Sequence, residues 1–256
     1  LVKNNIDLFV CSFNPAATQR FEEELLQKYL LHNENAEQRE IIRIPMVATN
    51  QRHQKHIIFV LDQSGSMSNS WGGVVAAYNK CIAQRRQNQN ESDLVSVIQF
   101  DGCATVTVSM TAISQAPSQL GFRGGGTCFS PAAEHARQVA MSCPATHAPL
   151  VVFMSDGCAG DASQAANTFS QLNNHIQGMS GNELELHVIA FGGGASTSQL
   201  QMIAGSSHNG KLHVSADTAQ LSDIFVEIAG GGNVGDVLEA EIGKRISEAV
   251  SDKLAL

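Results

Sequence analysis

Short unbroken apolar runs alternate with spaced apolar stripes along the middle of this chain. Ile57 to Leu61 and Leu150 to Met154 each set five apolar residues in succession. Runs this short predict strands buried on both faces, as in the centre of a parallel sheet. Leu94 to Phe100 and Leu184 to Phe191 predict two more strands, and Lys211 to Val214 a last short one. Between them, apolar residues recur at helical spacing. One stripe is Trp71, Val74, Val75, Tyr78 and Ile82, another is Ala165, Phe169, Leu172 and Ile176, and a third is Leu221, Ile224, Phe225 and Ile228. Shorter helices are predicted from Ser130-Pro131, behind Ser196 and near Ser114 to Leu120. Asp161 with Gln164 resembles a capping box, and Ser196 with Gln199 reads as the cap of its helix. Asp101-Gly102 predicts a tight hairpin leading into Thr105 to Val108, whose alternation suits a half-exposed antiparallel edge strand.

Strands alternating with helices predict an α/β fold: a doubly wound, mostly parallel sheet with one antiparallel edge strand and helices on both faces. The organisation reads as residues 1–56, an N-terminal extension or the end of a neighbouring domain; 57–229, the α/β domain; and 230–256, a Gly linker and an amphipathic helix. The first segment offers strands at Asp7 to Cys11 and Ile41 to Val47 and a helix from Asn14-Pro15. Asn50 to Lys55 reads as a polar linker, with His53 and His56 as solvated surface. The last segment carries Leu238, Ile242, Ile246 and Val250 on one side of a helix that starts near Asp236.

Chemistry concentrates where two runs end. Ile57 to Leu61 is followed by Asp62-Gln63-Ser64-Gly65-Ser66, with three oxygen-bearing side chains at alternate positions. Leu150 to Met154 is followed by Ser155-Asp156-Gly157, and the Gly-rich loop Gly124-Gly125-Gly126 leads into Thr127. In open parallel sheets, ligands bind at the carboxyl ends of strands where the winding reverses. Asp62, Ser64, Ser66, Thr127 and Asp156 are therefore expected to converge, and such oxygens suit a hard divalent cation. Two buried carboxylates without one repel and are costly to desolvate.

These pieces, in this order and at strand ends, resemble the metal-ion-dependent adhesion site of von Willebrand factor type A (vWA) domains. The resemblance covers about residues 57–229. It implies direct ligation by Ser64, Ser66 and Thr127, with Asp62 and Asp156 acting largely through water. It implies Mg²⁺, or Mn²⁺ or Ca²⁺, as the ion, and a partner protein whose Asp or Glu completes the shell. It implies a metal-dependent binding or scaffolding module that is not an enzyme. Two other readings remain: a regulatory vWA domain of a multidomain intracellular enzyme or complex, and a Mg²⁺-dependent phosphoaspartyl hydrolase. The last fits less well, because Ser64 stands where such enzymes usually carry a second Asp.

Composition narrows the partners. The net charge is -8 and no basic cluster exceeds Arg85-Arg86, which argues against nucleic acid. No apolar run approaches a membrane span. The chain begins at Leu1 without a signal-peptide pattern and reads as a fragment or processed product. Six cysteines without a CxxC motif suggest free thiols and a cytoplasmic setting. Cys128 and Cys158 flank the expected metal rim and read as partly buried loop residues. The Asn90-Glu91-Ser92 sequon reads as a chance occurrence. Gly205 to Leu212 nearly spells a phosphate-binding loop, but Leu212 replaces the hydroxyl residue and the stretch runs into a strand. Gly192-Gly193-Gly194 reads as a plain turn.

Overall fold

The computed structural model describes residues 54–87, 90–180 and 184–231. The strands and helices expected in 1–53 and beyond 231 lie outside the described residues, as does His53. In chain order the elements are β1 (Gln54–Asp62), α1 (Trp71–Gln87), β2 (Leu94–Phe100), β3 (Ala104–Ala112), α2 (Phe129–Met141), β4 (His147–Ser155), α3 (Ala162–Ser180), β5 (Glu185–Phe191), α4 (Thr197–Ala204), β6 (Gly210–Ser215) and α5 (Thr218–Val226). A wider helical turn, Glu227–Gly231, extends α5.

The six strands form one sheet in the order β3-β2-β1-β4-β5-β6. All neighbours are parallel except β2 and β3. The two runs of five apolar residues lie in β1 and β4, which pair side by side, Ile57 opposite Leu150. After β1 the chain winds outward to β2 and β3, then returns past β1 to β4. The reversal falls between β1 and β4, and the crevice beyond their carboxyl ends is the natural place for a ligand.

Alternation along the strands splits the core in two. On one face Ile58, Val60, Val151 and Phe153 pack with α2, α3 and α4, where Phe100, Phe129, Phe153 and Phe169 follow one another at centroid separations of 5.3–6.0 Å. On the other face Ile57, Phe59, Leu61 and Val152 pack with α1 and α5, and Phe59 sits between Tyr78 and Phe225. The helices α1 and α5 touch closely enough that a Cβ on Gly73 would lie 2.2 Å from the Thr218 side chain.

Several local expectations are corrected. The stretch near Ser114 to Leu120 holds only a single 3-10 turn, Ile113–Gln115; Pro117 cannot donate within a longer helix. The tight hairpin expected at Asp101-Gly102 is present, with a three-residue connection, since Phe100 pairs with Ala104. The capping-box reading of Asp161 and Gln164 also gives way. Asp161 accepts hydrogen bonds from the backbone N–H groups of Phe129 (2.9 Å) and Ser130 (2.8 Å), so it caps α2 from across the fold. Ser196 stands at the N-cap of α4 but makes no side-chain cap bond, and Gln199 instead bonds both backbone groups of Ala159.

The polar-linker reading fails at its end: Gln54 and Lys55 open β1, and His56 is fully buried rather than solvated. His56 Nε2 lies 2.8 Å from Ser96 Oγ on β2, while its Nδ1 has no hydrogen-bond partner among the described residues. Burial, with the nearby His147 adding to it, lowers the His56 pKa from 6.5 to about 4. A histidine whose folded pKa lies below its unfolded value takes up its proton more readily in the unfolded chain. Stability is therefore lost as pH falls from about 6.5 towards 4, by roughly 3 kcal/mol over that window for this one group. Urea unfolding at pH 7, 5.5 and 4 should show a shallower acid loss in His56→Gln than in the parent. Parallel losses in the two proteins would refute this assignment.

Candidate functional site

Asp62, the last residue of β1, is fully buried. One carboxylate oxygen accepts from the Ser64 backbone N–H at 2.7 Å, and the other from the Ser155 hydroxyl at 2.6 Å. Ser155 is the last residue of β4, so the side-by-side pairing of the two strands brings this bond about. Desolvation raises the Asp62 pKa, the bonds from Ser155 and Ser64 oppose it, and the neighbouring Asp156 charge adds to the rise. Among the described residues, no Lys, Arg or His forms an ion pair with Asp62 or Asp156.

The other expected residues gather around this carboxylate. The hydroxyls of Ser64 and Ser66 share a 3.1 Å hydrogen bond, and Ser66 Oγ donates to Asp156 at 2.9 Å. Thr127 faces the same place: a Cβ on Gly157 would lie 3.8 Å from its Oγ1. The Gly-rich loop is pinned there by Gly65 N–H, which donates to the Gly125 carbonyl at 2.9 Å. Gly125 has φ +146°, a backbone state closed to most side chains. Thus the structure brings all five expected residues to the carboxyl ends of β1 and β4.

Two carboxylates and three hydroxyls form a donor set of hard oxygens, which fits a divalent cation such as Mg²⁺, Mn²⁺ or Ca²⁺. Among the described residues, no group of three or more His, Cys, Asp and Glu side chains assembles as a metal cluster. The hydroxyls are thus essential to the fit. Cys128 is half-buried and Cys158 exposed, so the partly-buried reading holds for the first only. A groove of about 530 Å³ runs from Ser66 and Asp156 past Gly193 to Asp217 at the start of α5.

Sequence reasoning missed four contributors. Ser155 appears only as part of a Ser-Asp-Gly turn, and nothing in the order of residues marks it as the anchor of Asp62. Asp101 reads as a hairpin residue, yet it is 4 % exposed and holds the Arg123 guanidinium at 2.9 Å. Burial opposes its charge, but the bonds from Arg123 and the Cys103 N–H outweigh that, leaving its pKa below the usual carboxylate range. Gln63 and Gln99 are buried partners of the same network, Gln99 donating to Gln63 at 3.0 Å.

An open, mostly parallel sheet with helices on both faces, and with carboxylate and hydroxyl oxygens gathered at its switch point, defines a domain of the doubly wound α/β class. The chain belongs to the von Willebrand factor type A domain family, whose model matches residues 56–227. Similar solved structures include the pilus adhesin SpaC of Lactobacillus rhamnosus GG, with 12 % identity and a TM-score of 0.58 over 70 % of this chain and 30 % of that one. A von Willebrand factor type A protein of Catenulispora acidiphila shows 14 % identity and a TM-score of 0.52 over 69 % and 42 %. Proximal thread matrix protein 1 of the mussel byssus, solved with a zinc-occupied MIDAS motif, shows 18 % identity and a TM-score of 0.52 over 69 % and 45 %. At such identities the likeness is one of fold, and this chain spans less than half the length of each. No curated protein matches the chain in sequence.

A buried carboxylate beside a like charge is a burden on the metal-free fold. Asp62→Asn keeps the shape and removes the charge; its Oδ1 still accepts from the Ser64 N–H, while its Nδ2 donates to Ser155 Oγ, whose hydroxyl turns to accept. Its thermal midpoint in EDTA should lie above that of the parent near pH 7, and added Mn²⁺ should raise it less. A lower midpoint in EDTA would show that the Asp62 charge is compensated in another way.

Proposed function

We propose that this domain is a divalent-cation-dependent protein-binding module that captures a carboxylate side chain of a partner protein. The observation that carries the reading is the convergence of Asp62, Ser64, Ser66, Thr127 and Asp156 around a buried carboxylate with no cationic side chain paired to it among the described residues. Ser64, Ser66 and Thr127 would hold the cation directly, and Asp62 and Asp156 would act largely through water. The bound cation supplies an electrophilic position for an incoming Asp or Glu. Only two formal charges balance it, because the other three donors are neutral, so its attraction for a third carboxylate is kept. Asp62 is held by Ser64 and Ser155, and Thr127 by the pinned Gly-rich loop, so these groups are ordered in advance of binding. The family match, the adhesin neighbour and the zinc-occupied site of the byssus protein support this reading. Mg²⁺ is the proposed ion.

The phosphoaspartyl alternative needs a free Asp62 oxygen as nucleophile. Both oxygens are already engaged and the residue is fully buried, so we propose no catalysis. A role as the regulatory domain of a larger assembly would use the same site. Among the described residues, no helix is long and apolar enough to cross a membrane.

Thermal unfolding with Mg²⁺, Mn²⁺ or EDTA tests the site directly. A cation that binds only the folded state at a hundredfold excess over Kd adds about 2.7 kcal/mol, or roughly 5–10 °C for a domain of this size. The parent should show the shift and Asp62→Ala should lose it. The same midpoint with Mg²⁺, Mn²⁺ and EDTA in the parent would end the metal reading. Partner binding that persists in EDTA would end the carboxylate-capture reading alone.

A further inference from the structure

We infer that Asp101 is the positioning residue of the candidate metal site, holding the Thr127 loop in register with the Ser64–Ser66 loop. The inference rests on the metal-binding reading and deepens it. Asp101 lies just past β2, in the hairpin, and is not itself among the five gathered oxygens. Its side chain is nonetheless almost fully buried and reaches three segments. One oxygen accepts from the Cys103 N–H at 3.0 Å, which closes the hairpin. The other accepts from Arg123 Nε at 2.9 Å and from Gln63 Nε2 at 3.3 Å. Gln63 lies between Asp62 and Ser64, and Arg123 opens the Gly-rich loop.

Thr127 is bracketed by contacts to this one residue. On its C-terminal side, the Cys128 N–H donates to the Asp101 carbonyl at 2.8 Å. On its N-terminal side, Gly125 lies flat against Asp101, so that a Cβ there would come within 3.1 Å of both the Asp101 Cβ and Cγ. The Gly125 carbonyl in turn accepts from Gly65, which stands between Ser64 and Ser66. A short chain of contacts therefore runs from Asp101 through Gly125 to the two serines, and a second runs through Gln63 to Asp62 and Ser64. Gln99 extends the network, donating to Gln63 and to the Gly121 carbonyl at 2.6 Å.

Charge explains why the residue is an Asp bound to an Arg. A third free carboxylate at this pole would add to the repulsion between Asp62 and Asp156 and weaken the cation's attraction for a partner carboxylate. Paired with Arg123, Asp101 brings a rigid set of acceptors without net charge. Supporting residues of this kind around metal ligands commonly govern affinity by 10- to 100-fold.

The test is Mn²⁺ affinity by titration calorimetry on the full chain, with the spectrum of bound Mn²⁺ recorded by electron paramagnetic resonance. Thermal midpoints in EDTA report the fold separately. Asp101→Asn should weaken Mn²⁺ binding by about 10- to 100-fold and change the Mn²⁺ spectrum. Arg123→Ala leaves the buried Asp101 carboxylate without its cationic partner, so its midpoint in EDTA should fall while the chain stays folded, and its Mn²⁺ affinity should fall several-fold; Arg123→Lys should recover part of both losses. Parent-like Mn²⁺ affinity in folded Asp101→Asn overturns the inference and leaves the metal reading standing. If Asp101→Asn does not fold, parent-like affinity in Arg123→Ala overturns it instead. A parent chain that does not bind Mn²⁺ overturns both readings.

Discussion

The hydrogen bond between Ser155 and Asp62 joins the ends of the two central strands, and the rest of the site depends on it. It exists because β1 and β4 are neighbours, and they are neighbours because both are apolar on both faces and belong at the middle of the sheet. Once Asp62 is fixed, its second oxygen orders the Ser64 backbone, Ser64 meets Ser66, and Ser66 reaches Asp156. A buried carboxylate with only neutral donors would be a poor choice for stability alone. Its place at the switch point of an open sheet is what the proposed cation site would account for.

Much of the architecture is legible because buried parallel strands leave a strong mark. Five apolar residues ending in Asp-x-Ser-x-Ser say both what lies in the centre and where its carboxyl end is. The alternation in Thr105 to Val108 identifies an edge strand for the same reason. What escapes notice is anything decided by a contact distant in sequence. His56 looks like surface because its neighbours are polar, yet pairing with β2 buries it against Ser96. Asp161 has the local pattern of a cap for its own helix, but the N–H groups it satisfies belong to α2. Asp101 shows the same limit most clearly. Asp-Gly is a turn signal, turn residues are normally exposed, and only the returning loop at Arg123 to Thr127 buries it.

The five gathered residues show a complementary division. Asp62, Ser64 and Ser66 are close in sequence, so their convergence follows from a strand end and a turn. Thr127 and Asp156 come from two further segments, and the resemblance to a family motif supplies what spacing alone does not. Their meeting requires the Gly-rich loop to lie flat on Asp101, which a side chain at Gly125 would prevent.

The distribution of paired charges across the domain bears on the site independently of any motif. At the pole where β1 begins, acids and bases are matched. Arg85 pairs with Asp93 and also donates to the Ala229 carbonyl, and Lys55 pairs with Glu185 at 2.5 Å. That matching, together with a bond from His187, outweighs burial and holds the Glu185 pKa down at about 2. At the opposite pole Asp101 is matched by Arg123, while Asp62 and Asp156 face each other without a basic partner among the described residues. Among the described residues, the buried Asp93 and Asp101 are each matched by an arginine. The buried Asp62, with the partly buried Asp156 beside it, is left unmatched where three hydroxyls are at hand, and the proposed divalent cation would complete the same rule.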